Sequence, residues 1–197
     1  MLRLFLLMAV FALSATSTAS AGKPVYVGGA VPAERRVSMD RYDHAAWNAL
    51  QLVVGGKGIS LEDIEHQVLR KMGEPRIHFA IVCASRSCPR LLNRAYTAAD
   101  LEKQLTANTQ AFFASEANFR YVIANGVTNG NGGGKMQFSA ILKWFAEDFG
   151  PDQAAQLKTV APYLPSKAAW QAANAGRVRV SYLNYDWSLN DQATAPR

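Results

Sequence analysis

Cys83 and Cys88 are the only sulfur nucleophiles of the chain, set in Val82-Cys83-Ala84-Ser85-Arg86-Ser87-Cys88 and closed by Pro89. Two chemistries are open to sulfurs so close in sequence. In an oxidising compartment they pair, and closing so short a loop stabilises a fold by about 2 kcal/mol in the chain-entropy account. Alternatively one of them is a thiolate nucleophile, which requires an accessible position and a nearby cation or base that lowers the thiol pKa. Arg86, inside the loop, favours the anion. The Cys-x-x-x-x-Cys spacing is neither the Cys-x-x-Cys of dithiol oxidoreductases nor a paired zinc spacing, so neither metal nor cofactor is expected.

A thiolate enzyme also needs a proton carrier. His78 lies five positions before Cys83, so in an unbroken strand the two point to opposite faces. His66 is the better base, because it sits on a helix that feeds directly into that strand. Leu61, Ile64, Val68 and Met72 define the apolar face of the helix, with Glu65 near its centre and His66 well off it. Glu65 is thus an acid at the edge of the core, where a carboxylate needs a partner or shifts its pKa upward. Arg76, Arg86 and His78 are candidate partners. The catalytic set read from the sequence is Cys83, Cys88, His66 and Glu65, with Glu65 orienting His66; the competing reading is a structural disulfide from Cys83 to Cys88.

The elements that must position these groups are legible in part. Ser60-Leu61-Glu62-Asp63 has the form of a capping box and predicts a helix over 61–72 ended by Gly73. After Pro75, the run Arg76 to Cys83 has the length and β-branched content of a central strand. Thr97-Ala98-Ala99-Asp100 predicts a second capped helix with Leu101, Leu105, Phe112 and Phe113 facing the core. Phe119 to Ala124 and Met136 to Phe138 read as strands around a glycine-rich hairpin tip. The spacing before Gly134-Lys135 is wrong for a phosphate loop, and Met136 stands where a Ser or Thr would hold magnesium. Ser139 caps a helix over 140–149; further helices are expected at 152–163 and 167–175, then a strand over 178–183. The pattern predicts one α+β domain, a mixed β-sheet with helices packed on it.

The first 21 residues predict export: Arg3 precedes an apolar run from Leu4 to Leu13, and Ala19-Ser20-Ala21 is a small-x-small cleavage site. The expected organisation is a signal peptide over 1–21, a poorly defined segment over 22–54, the α+β domain over 55–192 and a flexible tail over 193–197. A periplasmic or secreted protein without a transmembrane segment after processing is implied. The formal net charge is +6. Its positive residues are scattered and lack interleaved aromatics, which argues against a nucleic-acid partner.

From Gly55 onward the motifs resemble the bacterial envelope family called domain of unknown function 547. The matching pieces are Ser60 to His66, His78 to Cys83 running into Ser87-Cys88-Pro89, Lys143-Trp144-Phe145-Ala146-Glu147-Asp148-Phe149, and Tyr185-Asp186-Trp187-Ser188-Leu189-Asn190. The family's helical stretch with an Asn-x-Tyr-Asn-like motif before Ser60 has no counterpart here. Asp43 to Leu50 looks like the family's beginning, joined almost directly to Gly55. The resemblance supplies no activity. The functional expectation is a non-catalytic envelope binding or accessory protein, with a Cys83–Cys88 disulfide and an unknown envelope ligand. The alternative is a thiol-dependent hydrolase or acyl transferase acting on an envelope peptide or amide. Tyr185 to Asn190 is expected to close the sheet through turn hydrogen bonds, or else to line a cleft.

Overall fold

The computed structural model of the chain describes residues 51–54, 57–123, 134–188 and 190. The expected signal peptide over 1–21, most of the segment over 22–54, the glycine-rich tip and the expected tail lie outside the described residues. Strands β1 (Gln51–Val54) and β2 (Lys57–Ser60) form an antiparallel hairpin with Leu52 opposite Ile59. Ser60 ends β2 and starts helix α1 with the expected capping box: its Oγ accepts from Asp63 N at 3.0 Å, and Asp63 Oδ2 accepts from Ser60 N at 3.1 Å. Helix α1 is not regular. It is α-helical over Leu61–Asp63, π-helical over Ile64–Leu69 and 3-10 over Arg70–Met72. Gly73 then turns the chain at φ 68°, a left-handed conformation that glycine adopts without penalty.

The strand predicted over residues 76–83 does not form. Pro75–Phe79 is a 3-10 helix with Pro75 in its first turn, and the Glu74 side chain caps it by accepting from Arg76 N at 3.0 Å. Arg76, Ile77, His78 and Phe79 are all buried. A run enclosed on every side loses the periodicity that separates strand from helix, and the acidic cap followed by proline is a helix-start signal. Residues 80–83 continue without strand pairing.

Helix α2 (Leu101–Phe113) buries Leu105, Phe112 and Phe113, as expected. The Thr97–Asp100 bonds form, with Asp100 N donating to Thr97 Oγ1 at 3.2 Å, one turn ahead of the helix. Strands β3 (Phe119–Val122), β4 (Gly134–Phe138) and β5 (Val178–Tyr182) make a mixed sheet in that order, β3–β4 antiparallel and β4–β5 parallel. On β4 the residues Gly134, Met136 and Phe138 are buried while Lys135 is exposed, the alternation of a sheet packed on one face.

The single helix predicted over 140–149 is two short ones, α3 (Ile141–Trp144) and α4 (Ala146–Phe149), broken at Phe145 (φ −112°, ψ 29°). Ser139 is buried, and its Oγ accepts from Ile141 N at 3.4 Å, one residue ahead of the N-cap Ala140. Helices α5 (Gln153–Val160, capped by Asp152) and α6 (Lys167–Ala175, between Ser166 and Gly176) follow the sequence reading. The domain is α+β, as predicted.

Phe79, Phe113, Phe119, Phe138 and Phe149 form the centre of the core, with Phe79 and Phe112 ring centroids 4.8 Å apart. Leu69, Ile77, Tyr96 and Leu105 make a second cluster that ties α1 and the 3-10 helix to α2. Truncating a fully buried phenylalanine of this kind to alanine costs about 3–5 kcal/mol, so these clusters set the position of everything on their rim. Among the described residues no helix is long and apolar enough to cross a membrane.

Candidate functional site

Helix α1, the 75–83 segment, the α3–α4 break and the chain after β5 enclose a cavity of about 450 Å³. Its lining includes Glu62, Glu65, His66, His78, Cys83, Cys88, Trp144, Tyr185 and Trp187. All four residues of the sequence-derived catalytic set are therefore brought to one cavity. So is His78, which strand geometry placed on the face away from Cys83; the 3-10 turn removes that alternation.

The two sulfurs are 3.0 Å apart and both are free thiols. A disulfide bond is about 2.05 Å long, so the expected bridge is not formed in this structure, although the sulfurs are in contact. Cys83 Sγ also lies 3.2 Å from Ser85 Oγ and 3.6 Å from Tyr185 Oη. The Cys88 thiol beside it, aided by the Ser85 and Tyr185 hydroxyls and opposed by burial, brings the Cys83 thiol down to about 5. Cys88 moves the other way, because its proton is held against Cys83 and because it is buried. One proton leaves the pair readily and the second does not, the behaviour of two acids sharing a site.

The loop is held in place by the far end of the chain. Arg86 N donates to Ser188 O (2.9 Å), Ser87 N to Asp186 O (3.2 Å) and Asn190 N to Ala84 O (2.8 Å). Asp186 N donates in return to Ser87 Oγ at 2.8 Å. The 185–190 motif thus clamps the cysteine loop as well as lining the cavity, and the expected turn bond at Asp186 forms, its Oδ1 accepting from Ser188 N at 2.9 Å. Ala84, between Cys83 and Ser85, has φ 63°. A non-glycine residue in this region costs about 1–3 kcal/mol, and such strain clusters at functional sites.

Glu65 is half-buried, and burial pushes its carboxyl up, as the helical phase implied. Its expected partners are otherwise engaged: Arg76 pairs with Glu74 and Glu102, and His78 with Asp148. Arg86 is exposed on the loop. Among the described residues Glu65 makes no side-chain hydrogen bond, and His66 is not oriented by it. Instead Arg70 Nη1 donates to His66 Nδ1 at 3.1 Å, and His66 Nε2 faces Glu62 Oε1 at 3.2 Å. A guanidinium can only donate, so Nδ1 accepts and the ring proton is on Nε2. The neighbours at i−4 and i+4 hold this imidazole against the cavity wall.

Behind His66, Asp148 takes two bonds from Arg70, at 2.6 and 2.9 Å, and one from His78 Nε2 at 2.7 Å. Burial opposes the Asp148 charge, but the bonds from Arg70 and His78 win and hold its carboxyl below the usual range. Burial keeps the His78 imidazole low despite Asp148, and its ring stacks on Phe145 at 4.0 Å. The break at Phe145 is what turns this ring, Trp144 and Asp148 toward the site. At the mouth, Trp144 stacks on Trp187 at 5.2 Å, and Tyr185 approaches them at 4.8 and 4.6 Å.

Sequence reasoning missed Ser85, Trp144 and Asp148; Tyr185 and Trp187 lie in the stretch it gave as able to line a cleft, and both do line the cavity. The Glu62–His66–Arg70 ladder was readable from i, i+4 spacing; the others depend on tertiary packing. Among the described residues, no group of three or more His, Cys, Asp or Glu is placed to hold a metal ion.

Fold and site define an α+β protein with a thiol pair set in an acidic and aromatic cavity. Residues 26–113 match the model of the family described as "Protein of unknown function, DUF547", which supports the resemblance drawn from the motifs. That match begins upstream of Gly55 and includes α1, the cysteine loop and α2. No curated protein and no solved structure matches the chain.

Proposed function

We propose that the protein is a thiol-dependent hydrolase or acyl transferase acting on a peptide or amide, with Cys83 as nucleophile. The observation that carries this reading is a free Cys83 thiol in contact with Cys88, Ser85 and Tyr185 on the wall of a substrate-sized cavity, where those neighbours draw it below the ordinary thiol value. A thiolate preformed by Cys88, Ser85 and Tyr185 needs no imidazole to ionise it, which fits the absence of a sulfur–imidazole hydrogen bond among the described residues. The thiolate attacks the carbonyl carbon, the S–C bond forms as the C–N bond breaks, and the leaving amine takes one proton. Glu65, raised by burial and facing the cavity, is the donor. Water or a second acceptor then releases the acyl group. The predicted signal peptide supports an envelope location and hence an envelope substrate.

A second reading, a non-catalytic envelope binding protein clasped by a Cys83–Cys88 disulfide, is favoured by the sulfur contact at 3.0 Å. Reaction with p-nitrophenyl acetate separates the two. The enzyme reading expects release of nitrophenolate with an acetyl group on Cys83, lost in Cys83→Ala. Protein purified without reductant that carries no free thiol and takes up no acetyl group decides for the clasped scaffold.

A further inference from the structure

The chain carries 21 lysines and arginines against 15 acids, yet among the described residues none of those cations lines the cavity. Arg70, which donates to the cavity-lining His66, is committed to Asp148 and Glu147 behind it. What faces the space is two carboxylates, a pair of touching thiols, two imidazoles and four aromatic rings, those of Trp144, Phe145, Tyr185 and Trp187. A cavity lined by carboxylates and thiols, with no lysine or arginine among its described lining residues, favours positive charge.

We infer that this cavity binds the primary ammonium group of an aliphatic amine, with Glu65 as its carboxylate and Trp144, Tyr185 and Trp187 as its aromatic wall. Glu65 has oxygen lone pairs that no described residue fills, and an ammonium brings three N–H donors to them. A quaternary ammonium has none and would leave the carboxylate unmet. The three rings meet at centroid distances of 4.6 to 5.2 Å, and their faces attract a desolvated cation at close range. Ile81, Pro89 and Ile141 supply apolar lining for an aliphatic stem.

This inference deepens the thiol reading of Cys83 and rests on it for its chemistry: the amine is the leaving group of the amide or the acceptor of the acyl group. When the C–N bond breaks, one proton passes from the Glu65 carboxyl to the nitrogen and gives the neutral amine; a second, taken from water, makes it the ammonium that stays against the Glu65 carboxylate. In the transfer direction Glu65 takes one ammonium proton, the freed amine attacks the thioester carbonyl, the Cys83 thiolate leaves, and the second proton of the nitrogen passes to water.

Binding is tested without chemistry in Cys83→Ala, titrated with n-butylammonium and with 1-butanol while the indole N–H signals of Trp144 and Trp187 are followed by NMR. The expected result is that butylammonium binds about tenfold more tightly than butanol, the size of one charge-assisted hydrogen bond. Adding Glu65→Gln should remove that preference and leave butanol unchanged. Equal affinities in Cys83→Ala, a preference that survives Glu65→Gln, or shifts confined to Trp170 would overturn the proposal. The comparison of the two probes in Cys83→Ala stands even if the glutamine variant does not fold. Acetylation of Cys83 in the unsubstituted protein reads the thiol chemistry separately. Acetylation without an ammonium preference sinks the amine site alone, whereas the preference without acetylation supports the amine site and removes the thiol reading.

Discussion

Cys83 Sγ and Tyr185 Oη lie 3.6 Å apart although 102 residues separate them in sequence. The same hydroxyl accepts from Ser85 Oγ at 2.9 Å, so one tyrosine joins the sulfur, the buried turn that carries it and the chain after β5. The electrostatics of the site are therefore set by the segment that clamps the loop from outside.

Removing that hydroxyl should show it. Tyr185→Phe is expected to raise the Cys83 thiol by about half to one pH unit, the effect of losing one hydrogen bond to a charge. It leaves the buried Ser85 hydroxyl without its acceptor, at a stability cost of about 1 kcal/mol. The pH dependence of iodoacetamide labelling and a urea melt measure the two effects.

The thiol pair imposes a sign on stability against pH. Between about 5 and the ordinary thiol pKa of about 8.5 the unfolded chain binds two protons at these sulfurs and the folded chain one, so stability rises with pH. Above about 8.5 the unfolded chain loses both while Cys88 keeps its proton when folded, and stability falls. Chemical denaturation of reduced protein from pH 5 to 10 should give a maximum near 8.5 that disappears in the Cys83→Ala, Cys88→Ala double variant.

Ala84 holds φ 63° at the strained position between Cys83 and Ser85. Ala84→Gly is expected to stabilise the protein by about 0.5–1 kcal/mol, relief of left-handed strain less the extra freedom of the unfolded chain. A rise in the denaturation midpoint with unchanged slope is the readout.

Asp148 is the anion on which Arg70 and His78 converge. Asp148→Asn should cost about 2 kcal/mol, because among the described residues it leaves Arg70 with only the exposed Glu147 as charge partner and takes the carboxylate acceptor from the buried His78. The Asp148 carboxyl sits below its ordinary value when folded. Its contribution is thus present above the unfolded value of about 3.9 and is lost as pH falls through the folded one. The asparagine variant should lose less stability than the unsubstituted protein over that acid range.

Local signals carried a good part of this fold into the sequence. Capping at Ser60 and Ser166, the stops at Gly73 and Gly176, and the alternation on β4 each depend on a few adjacent residues, and each is found where its pattern lies. The 75–83 run was misread because residues buried on all sides have no periodicity, while the cap at Glu74 and Pro75 carried the true signal. The gathering of Glu65, His66 and the cysteines was legible. The π turns of α1 were not, and they set Glu62, Glu65 and His66 on one wall, where regular helical phase had separated Glu65 from His66. Trp144 and Asp148 reach the site through tertiary packing, which no local pattern encodes.

The central claim is that Cys83 is a thiolate at neutral pH because of its neighbours. Alkylation of the reduced protein with iodoacetamide from pH 4 to 9, with the labelled cysteine assigned by mass spectrometry, tests it directly. The expected result is labelling at Cys83 alone, with a midpoint near 5 and a rate that is flat from about pH 6 to 8. A rate that climbs through pH 8 like that of an ordinary thiol, or label on Cys88 first, would contradict the account.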